Sequence, residues 1–316
     1  KVCESGAPMI YAVLFATALA LGAQGTEWCQ EVEAPMRSAK AAIAAKKYDE
    51  ADRILAQLES KHPLCWEVQL GLGRVRYELG DYRGAGVASE LALLWAPENF
   101  KALVLRGQIL GNQGEFAQAQ QLLEKACKLE PKNAEAYFQL GVLRDGNQRH
   151  REAVDAFQRA LALRPRDARA HDYLALNLEP LGKLAEAEAV YRQGLAVNSG
   201  DRADPFLDYN YGRLLFKLNR LQESRKHFDL ALQAAPPTRA VYYERARLNL
   251  RMENLTEARA DAEKALLPDQ DGYIIDLQVY NLLVQIYGRL GEEQLAARYV
   301  ELCKTATVPM QGRERK

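Results

Sequence analysis

The segment AEAYFQLGVLRDGNQRHREAVDAFQRALALRPRD, residues 134–167, contains two stripes of apolar residues at helical spacing. The stripes consist of Tyr137, Leu140, Gly141 and Leu143, and then of Ala153, Phe157, Ala160 and Leu161. A polar stretch separates the two stripes. Pro165 follows the second stripe, and proline ends a helix because it lacks the backbone N–H donor. The segment therefore predicts two antiparallel helices joined by a short turn.

This pattern recurs along the chain at a constant interval, the length of the segment quoted above. The prolines at that spacing are Pro63, Pro97, Pro131 and Pro165. A column of alanines precedes them and continues beyond them, with one serine: Ala51, Ala85, Ala119, Ala153, Ala187, Ser224, Ala258 and Ala296. A second column is small except at its last member: Ala39, Gly73, Gly107, Gly141, Ala175, Gly212, Ala246 and Val284. Glycine inside a helix costs about 1 kcal/mol relative to alanine, so its recurrence indicates close helix–helix approach.

These columns resemble the tetratricopeptide repeat family, which combines a small residue, an alanine, a bulky residue four positions later and a terminal proline. The resemblance implies an all-α fold, a right-handed α-solenoid of about eight helix-turn-helix repeats. We expect the solenoid over 26–305, an apolar segment at 1–25 and a flexible tail at 306–316. The predicted repeats are 32–65, 66–99, 100–133, 134–167, 168–201, 205–238, 239–272 and 277–305.

The repeat register slips twice. Three extra residues fall within Asn198–Pro205, before Pro236, and about four more fall within Pro268–Gly272. Both stretches are rich in turn-forming residues, which predicts loops between repeats. Each slip is interpreted either as a tolerated insertion or as a local change in superhelix pitch.

Composition and the N-terminal segment bear on partners and location. Lysine plus arginine equals aspartate plus glutamate, at 42 each, and this balance argues against a nucleic-acid partner. Met9–Ala23 is almost wholly apolar but, at roughly 22 Å as a helix, is shorter than a membrane core. We interpret 1–25 as a secretory signal peptide, which predicts a periplasmic or secreted protein. An uncleaved anchor and a cytosolic segment are the alternatives.

The five cysteines fall into different classes. Cys3 would leave with a signal peptide, whereas Cys127 and Cys303 are interpreted as small packing residues in second helices. Cys29 and Cys65 each precede a first helix, one repeat apart. In an oxidising compartment they would bridge the first repeat; otherwise they are two unpaired thiols.

Signatures of catalysis are absent from the sequence. There is no HExxH pair, no phosphate-binding glycine loop and no CxxC, so we predict no enzyme activity, no cofactor and no metal site. His171 stands at a packing position and is interpreted as a core histidine.

In the family, first helices line a concave groove that binds peptides or partner helices. The candidate groove residues here are Arg74, Tyr77, Phe138, Tyr209, Arg213, Tyr243 and Arg247. The last four form two Tyr-x-x-x-Arg pairs exactly one repeat apart, and the i, i+4 spacing places each pair on one helical face. Such pairs suit an acidic side chain or a peptide carboxylate. The alternative is a solvated surface whose arginines stack on tyrosine or pair with Glu223, Glu244 or Glu253.

These observations predict a non-enzymatic scaffold that binds a protein or peptide in its groove. One alternative is the regulatory repeat region, or an accessory subunit, of a larger enzyme. Another is an assembly factor that self-associates through its C-terminal repeat, because no polar capping helix is evident after Cys303.

Overall fold

All regular secondary structure in the described part of the chain is helical. The computed structural model describes Cys29 and residues 32–199, 204–234, 238–266 and 275–306. Its helices form consecutive pairs that coincide with the eight predicted repeats, except that the last pair begins at Asp276, one residue before its repeat. The chain divides into two compact units, Lys1–Leu163 (unit 1) and Arg164–Lys316 (unit 2). The all-α repeat fold predicted from the sequence is confirmed.

Unit 1 contains four helix pairs. They are α1 Glu33–Ala44, α2 Tyr48–Lys61, α3 Trp66–Glu78, α4 Tyr82–Trp95, α5 Phe100–Asn112, α6 Phe116–Leu129, α7 Ala134–Gly146 and α8 His150–Leu163. Several of these helices begin at a polar cap. The side chains of Asp81 and Asn99 accept hydrogen bonds from the N–H groups of Gly84 (2.9 Å) and Ala102 (3.1 Å), and so satisfy helix N-termini.

Unit 2 also contains four pairs. They are α9 Ala168–Leu178, α10 Leu184–Val197, α11 Leu207–Lys217, α12 Leu221–Ala234, α13 Arg239–Arg251, α14 Leu255–Lys264, α15 Asp276–Leu290 and α16 Glu293–Thr305. The division between the units falls at Leu163/Arg164, one repeat before the first register slip.

The glycine column marks the closest helix contacts. A Cβ atom on Gly141 would lie 2.6 Å from Cε1 of Phe157, and one on Gly212 would lie 2.9 Å from the ring of Phe228. In both cases the aromatic ring belongs to the second helix of the same repeat. The close approach that the glycine spacing predicts is therefore present, and a larger residue would push the pair apart.

The first register slip lies partly within the described residues. The Asn198 amide donates to the carbonyl of Asp204 at 3.0 Å, and the Asp204 N–H donates to Asn198 Oδ1 at 2.6 Å. The Asp204 carboxylate in turn accepts from the N–H of Phe206 at 2.8 Å. Side-chain hydrogen bonds of Asn198 and Asp204 thus join the end of α10 to the start of α11. The second slip, the apolar segment 1–25 and residues 307–316 of the predicted tail lie outside the described residues.

Cys29 and Cys65 are joined by a disulfide, with Cα atoms 5.1 Å apart. Cys65 is fully buried in the core of the first repeat, beside Met36 and Val68. Cys127 is a buried free thiol, and desolvation by burial raises its pKa to about 11. The helices in the described ranges include none with the length and apolar character that a membrane crossing needs.

Candidate partner-binding groove

The three candidates in unit 1 do not form one surface. Phe138 is only 5% exposed, and its ring meets Phe157 edge-on at a centroid distance of 5.7 Å. The prediction that Phe138 faces outward is therefore wrong, because the second helix of its own repeat covers the ring. Tyr77 is half-buried, and its hydroxyl accepts a hydrogen bond from the Asn112 amide at 2.7 Å. Arg74 is exposed.

The four candidates in unit 2 lie together on α11 and α13. The Arg213 guanidinium stands 5.7 Å from the ring centroid of Tyr209. Arg247 stands 5.8 Å from the ring of Tyr243 and 5.5 Å from that of Phe216, so its side chain reaches from α13 to α11. Each tyrosine ring thus lies against its arginine, and the two pairs lie on the first helices of consecutive repeats.

Arg213, Tyr243 and Arg247 line two clefts that share Phe216, Arg247 and Arg251, and together we call these clefts the unit 2 groove; Tyr209 lies beneath Arg213 and lines neither cleft. The smaller cleft, of about 380 Å³, is lined by Glu179, Arg213, Phe216, Lys217, Glu244, Arg247 and Arg251. The larger, of about 500 Å³, is lined by Phe216, Tyr243, Arg247, Leu250, Arg251, Gln278, Asn281, Leu282, Gln285 and Arg289. The first helices α11, α13 and α15 supply nearly all of this surface.

The unit 2 groove carries an excess of positive charge. Its basic side chains are Arg213, Lys217, Arg247, Arg251 and Arg289, and its acidic ones are Glu179 and Glu244. The Glu244 carboxylate lies 2.7 Å from the Arg247 guanidinium, so Glu244 neutralises Arg247, as the sequence alternative proposed. Glu253 instead binds Arg289 at 2.7 Å, and Glu223 binds Arg220 on another face. Among the described residues, no carboxylate pairs with Arg213 or Arg251.

Sequence reasoning missed Lys217, Arg251 and Arg289. A signal for the first two was available, because Lys217 and Arg251 stand one repeat apart and each follows a predicted arginine by four positions. Arg289 was hidden by the second register slip, since the inserted residues place it more than one repeat beyond Arg251. Together they form a basic column beside the Tyr-x-x-x-Arg pairs.

Burial raises the pKa of the tyrosines in and beside the groove. Desolvation raises the pKa of Tyr209 to about 12 and also raises the pKa of Tyr243. At one end of the groove, desolvation raises the pKa of Glu179, although the Tyr191 hydroxyl donates to it at 3.1 Å and opposes the shift. The groove therefore offers guanidinium donors on a background of uncharged aromatic rings.

A buried acidic cluster lies beside the groove, between α9 and α11. Asp172 is 3% exposed and accepts two hydrogen bonds from the Asn210 amide, at 2.8 and 3.1 Å. Desolvation raises its pKa well above the ordinary aspartate value, and the nearby carboxyl of Asp204 adds to the shift. Desolvation raises the pKa of Asp204 as well. Burial therefore disfavours the charged form of both carboxyls.

The remaining candidate sites are structural. His171 is buried in unit 2, and its Nε2 lies 3.0 Å from the carbonyl of Pro165 and donates to it, as the interpretation of a core histidine requires. Within the described ranges, no group of three or more His, Cys, Asp or Glu side chains is placed to hold a metal ion.

The model of the tetratricopeptide repeat matches residues 36–101, 104–168, 139–206, 174–238 and 209–273, which is more than half of the chain. The chain belongs to the tetratricopeptide repeat family. The matches span both units, so unit 1 and unit 2 are built from the same tetratricopeptide repeats. No curated protein sequence matches the chain.

Solved structures share the fold at low sequence identity. A tetratricopeptide repeat protein from Parabacteroides merdae is 19% identical with a TM-score of 0.60, over 81% of this chain and 99% of that one. PilF of Pseudomonas aeruginosa is 19% identical with a TM-score of 0.58, over 72% and 97%. The APC/C hetero-tetramer Cut9–Hcn1 is 16% identical with a TM-score of 0.65, over 86% of this chain and 52% of that one. The TM-scores show a common fold. At identities this low, the similarity does not extend to a common ligand.

Proposed function

We propose that the protein is a non-enzymatic scaffold whose unit 2 groove binds an extended, acidic segment of a partner protein. The tetratricopeptide fold supports a role in protein–protein interaction. The observation that carries the finer proposal is the groove itself, in which five basic side chains face two acidic ones. Arg213 and Arg251 have no carboxylate partner among the described residues, so a ligand carboxylate would satisfy them.

The distance between consecutive first helices favours a particular spacing of acidic residues in the ligand. Packed helices lie about 8–10 Å apart, and an extended chain advances about 3.3 Å per residue. An acidic residue at every third position would therefore meet the basic side chains of α11, α13 and α15 in turn. Phe216 and Tyr243 would contact the intervening side chains.

The test uses a labelled peptide with glutamate at every third position and a control peptide with glutamine in its place. We expect the full chain to bind the glutamate peptide with an affinity that falls as salt rises. Replacing Arg213 and Arg247 by alanine is expected to weaken binding about tenfold or more. Fluorescence anisotropy measures both effects.

The matched control is Arg74→Ala, which removes an exposed arginine from the equivalent repeat position in unit 1. Binding is expected to be unchanged in this variant. Equal losses in Arg74→Ala and in the unit 2 double variant would indicate non-specific attraction between charges. Equal binding of the glutamate and glutamine peptides would contradict the proposed ligand chemistry.

Export of the protein is the second part of the proposal. The disulfide between Cys29 and Cys65 supports it, because such bonds persist in oxidising compartments. The apolar segment Met9–Ala23 supports it from the sequence. In a bacterial host, a C-terminal reporter that is active only outside the cytosol is expected to be active on the full chain and inactive on a chain lacking 1–25. Reporter activity that does not depend on 1–25 would argue against export.

A further inference from the structure

The last repeat exposes positions that every preceding repeat buries. In the first seven repeats, the residue of the alanine column is fully buried, and the residue four positions later is at most 1% exposed: Leu55, Ser89, Leu123, Phe157, Tyr191, Phe228 and Ala262. In the eighth repeat, Ala296 is half-buried and Val300 is 41% exposed. Helix α16 has no fully buried residue at all.

The reason is that second helices are normally covered by the first helix of the next repeat. In unit 1, for example, the side chain of Leu55 on α2 lies 3.0 Å from the Cβ position of Gly71 on α3. Among the described residues, no helix follows α16. In unit 2 the stacking surface of the second helices is therefore also present on α16, and no described helix covers it.

The exposed face of α16 has a self-complementary order of charges. Glu293, Ala297, Val300 and Lys304 are all exposed and follow one another at steps of four, three and four residues, which places them on one face of the helix. We call these residues the α16 stripe. An acidic residue lies at its N-terminal end, a basic residue at its C-terminal end and small apolar residues between them. Both pairs are centred on the same point of the helix, between Arg298 and Tyr299.

We propose that the α16 stripe pairs with the α16 stripe of a second copy of this chain, antiparallel about a twofold axis. In that arrangement Glu293 lies opposite Lys304 of the second copy, and Ala297 lies opposite Val300. A twofold axis repeats each contact, which gives two ion pairs around a small apolar centre. Ala297 lets the helices approach closely. A parallel arrangement would instead place glutamate against glutamate.

Lys304 is free to make this contact at little cost. In the monomer its ammonium lies 2.9 Å from Glu301 Oε2, and both side chains are about two-thirds exposed. Exposed ion pairs of this kind contribute little to stability, so exchanging Glu301 for Glu293 of the second copy is close to neutral. The apolar contact of Val300 with Ala297 then supplies the net attraction.

One helix face buries less than the roughly 800 Å² per partner of a standard interface. We therefore expect a weak dimer, which forms as concentration rises. Sedimentation velocity on the full chain across a hundredfold range of concentration is the measurement. Val300→Glu is expected to keep the chain monomeric throughout. Val87→Glu, which charges a 51% exposed valine on α4, is the matched control and is expected to dimerise like the unaltered chain.

Charge reversals test the antiparallel order. Glu293→Lys alone and Lys304→Glu alone each place like charges opposite one another, so each is expected to lower dimer formation severalfold. Mixing the two single variants, or combining both substitutions in one chain, restores opposite charges and is expected to restore the dimer. Circular dichroism checks that each variant folds.

Three results would overturn the proposal. The first is a monomer at every concentration for the unaltered chain. The second is a dimer that survives Val300→Glu, and the third is a dimer that the combined reversal fails to restore, because either of these places the contact elsewhere. Peptide binding in the unit 2 groove is measured separately and does not depend on this result.

Discussion

Unit 1 and unit 2 have the same four-pair architecture but differ along their first helices. At the repeat position of Lys217 and Arg251, unit 1 carries Glu78, Asn112 and Gly146. At the position of Tyr209 and Tyr243, the fourth repeat of unit 1 carries Phe138, which is buried. The alanine and glycine columns that pack the helices are shared by both units, whereas the residues at these positions of the first helices differ. The comparison shows that one repeat fold carries two different surfaces along its first helices.

The largest expected effect separates the units by stability. Replacing Cys29 and Cys65 by alanine removes a cross-link between residues 36 apart in sequence. We expect the free energy of unfolding of unit 1 to fall by about 3 kcal/mol, because the unfolded chain gains entropy. Urea denaturation followed by hydrogen exchange resolves each unit, and unit 2 is expected to keep its protection. Adding reductant to the unaltered chain should reproduce the loss, and equal losses in both units would contradict the prediction.

A smaller loss of stability is expected when a methyl group is added to the glycine column of unit 1. Gly141→Ala places a Cβ 2.6 Å from Phe157, and we expect a loss of about 2 kcal/mol from overpacking. Gly146→Ala on the same helix is the control, since a Cβ there meets no atom within 4 Å. That change is expected to be neutral or to stabilise α7 by up to about 1 kcal/mol. Thermal unfolding compares the two, and similar values would show that the close contact relaxes freely.

Unit 2 is expected to show a pH dependence that arises from the Asp172 cluster. Because burial raises the pKa of folded Asp172, the native state holds a proton that the unfolded state releases. Stability is therefore expected to fall as pH rises from the ordinary aspartate pKa to the raised one, by about 1.4 kcal/mol per unit of difference.

Asp172→Asn should reduce this dependence, leaving the contribution of Asp204, and should make unit 2 more stable at pH 7, because a neutral amide still bonds with Asn210. Denaturation curves between pH 3 and 8 provide the measurement. Asp155→Asn, an exposed position in unit 1, is the matched control and is expected to leave the curves unchanged. A pH profile of Asp172→Asn that overlays the unaltered chain would refute the role of the cluster.

The smallest expected effect distinguishes the tyrosines of the two units. Tyr77→Phe removes the hydroxyl that accepts from Asn112, so we expect a loss of about 0.5–1 kcal/mol. Tyr209→Phe is expected to be neutral, since no hydrogen bond joins its hydroxyl to another described residue. Urea titrations check both values. A larger loss at Tyr209 would mean that its hydroxyl supports the fold.

The candidate site could be predicted only in part from the sequence. The spacing of Tyr209, Arg213, Tyr243 and Arg247 was readable, because side chains four residues apart share a helical face whatever surrounds them. The burial of Phe138 was not readable, because it depends on the ring of Phe157, which the second helix of the same repeat places against it. The place of Arg289 in the groove was not readable either, since the second register slip moves it out of the constant spacing of the repeats.

The sequence by itself determined the repeat, the helix pairs and the columns that stack them. These features depend on local periodicity and on residue size, which are written directly in the order of residues. The tertiary structure alone decided which carboxylates neutralise the groove arginines and that Asp172 lies beside Asp204 and Asn210. Those outcomes depend on distances between residues remote in sequence and on desolvation, which exist only once the helices have packed.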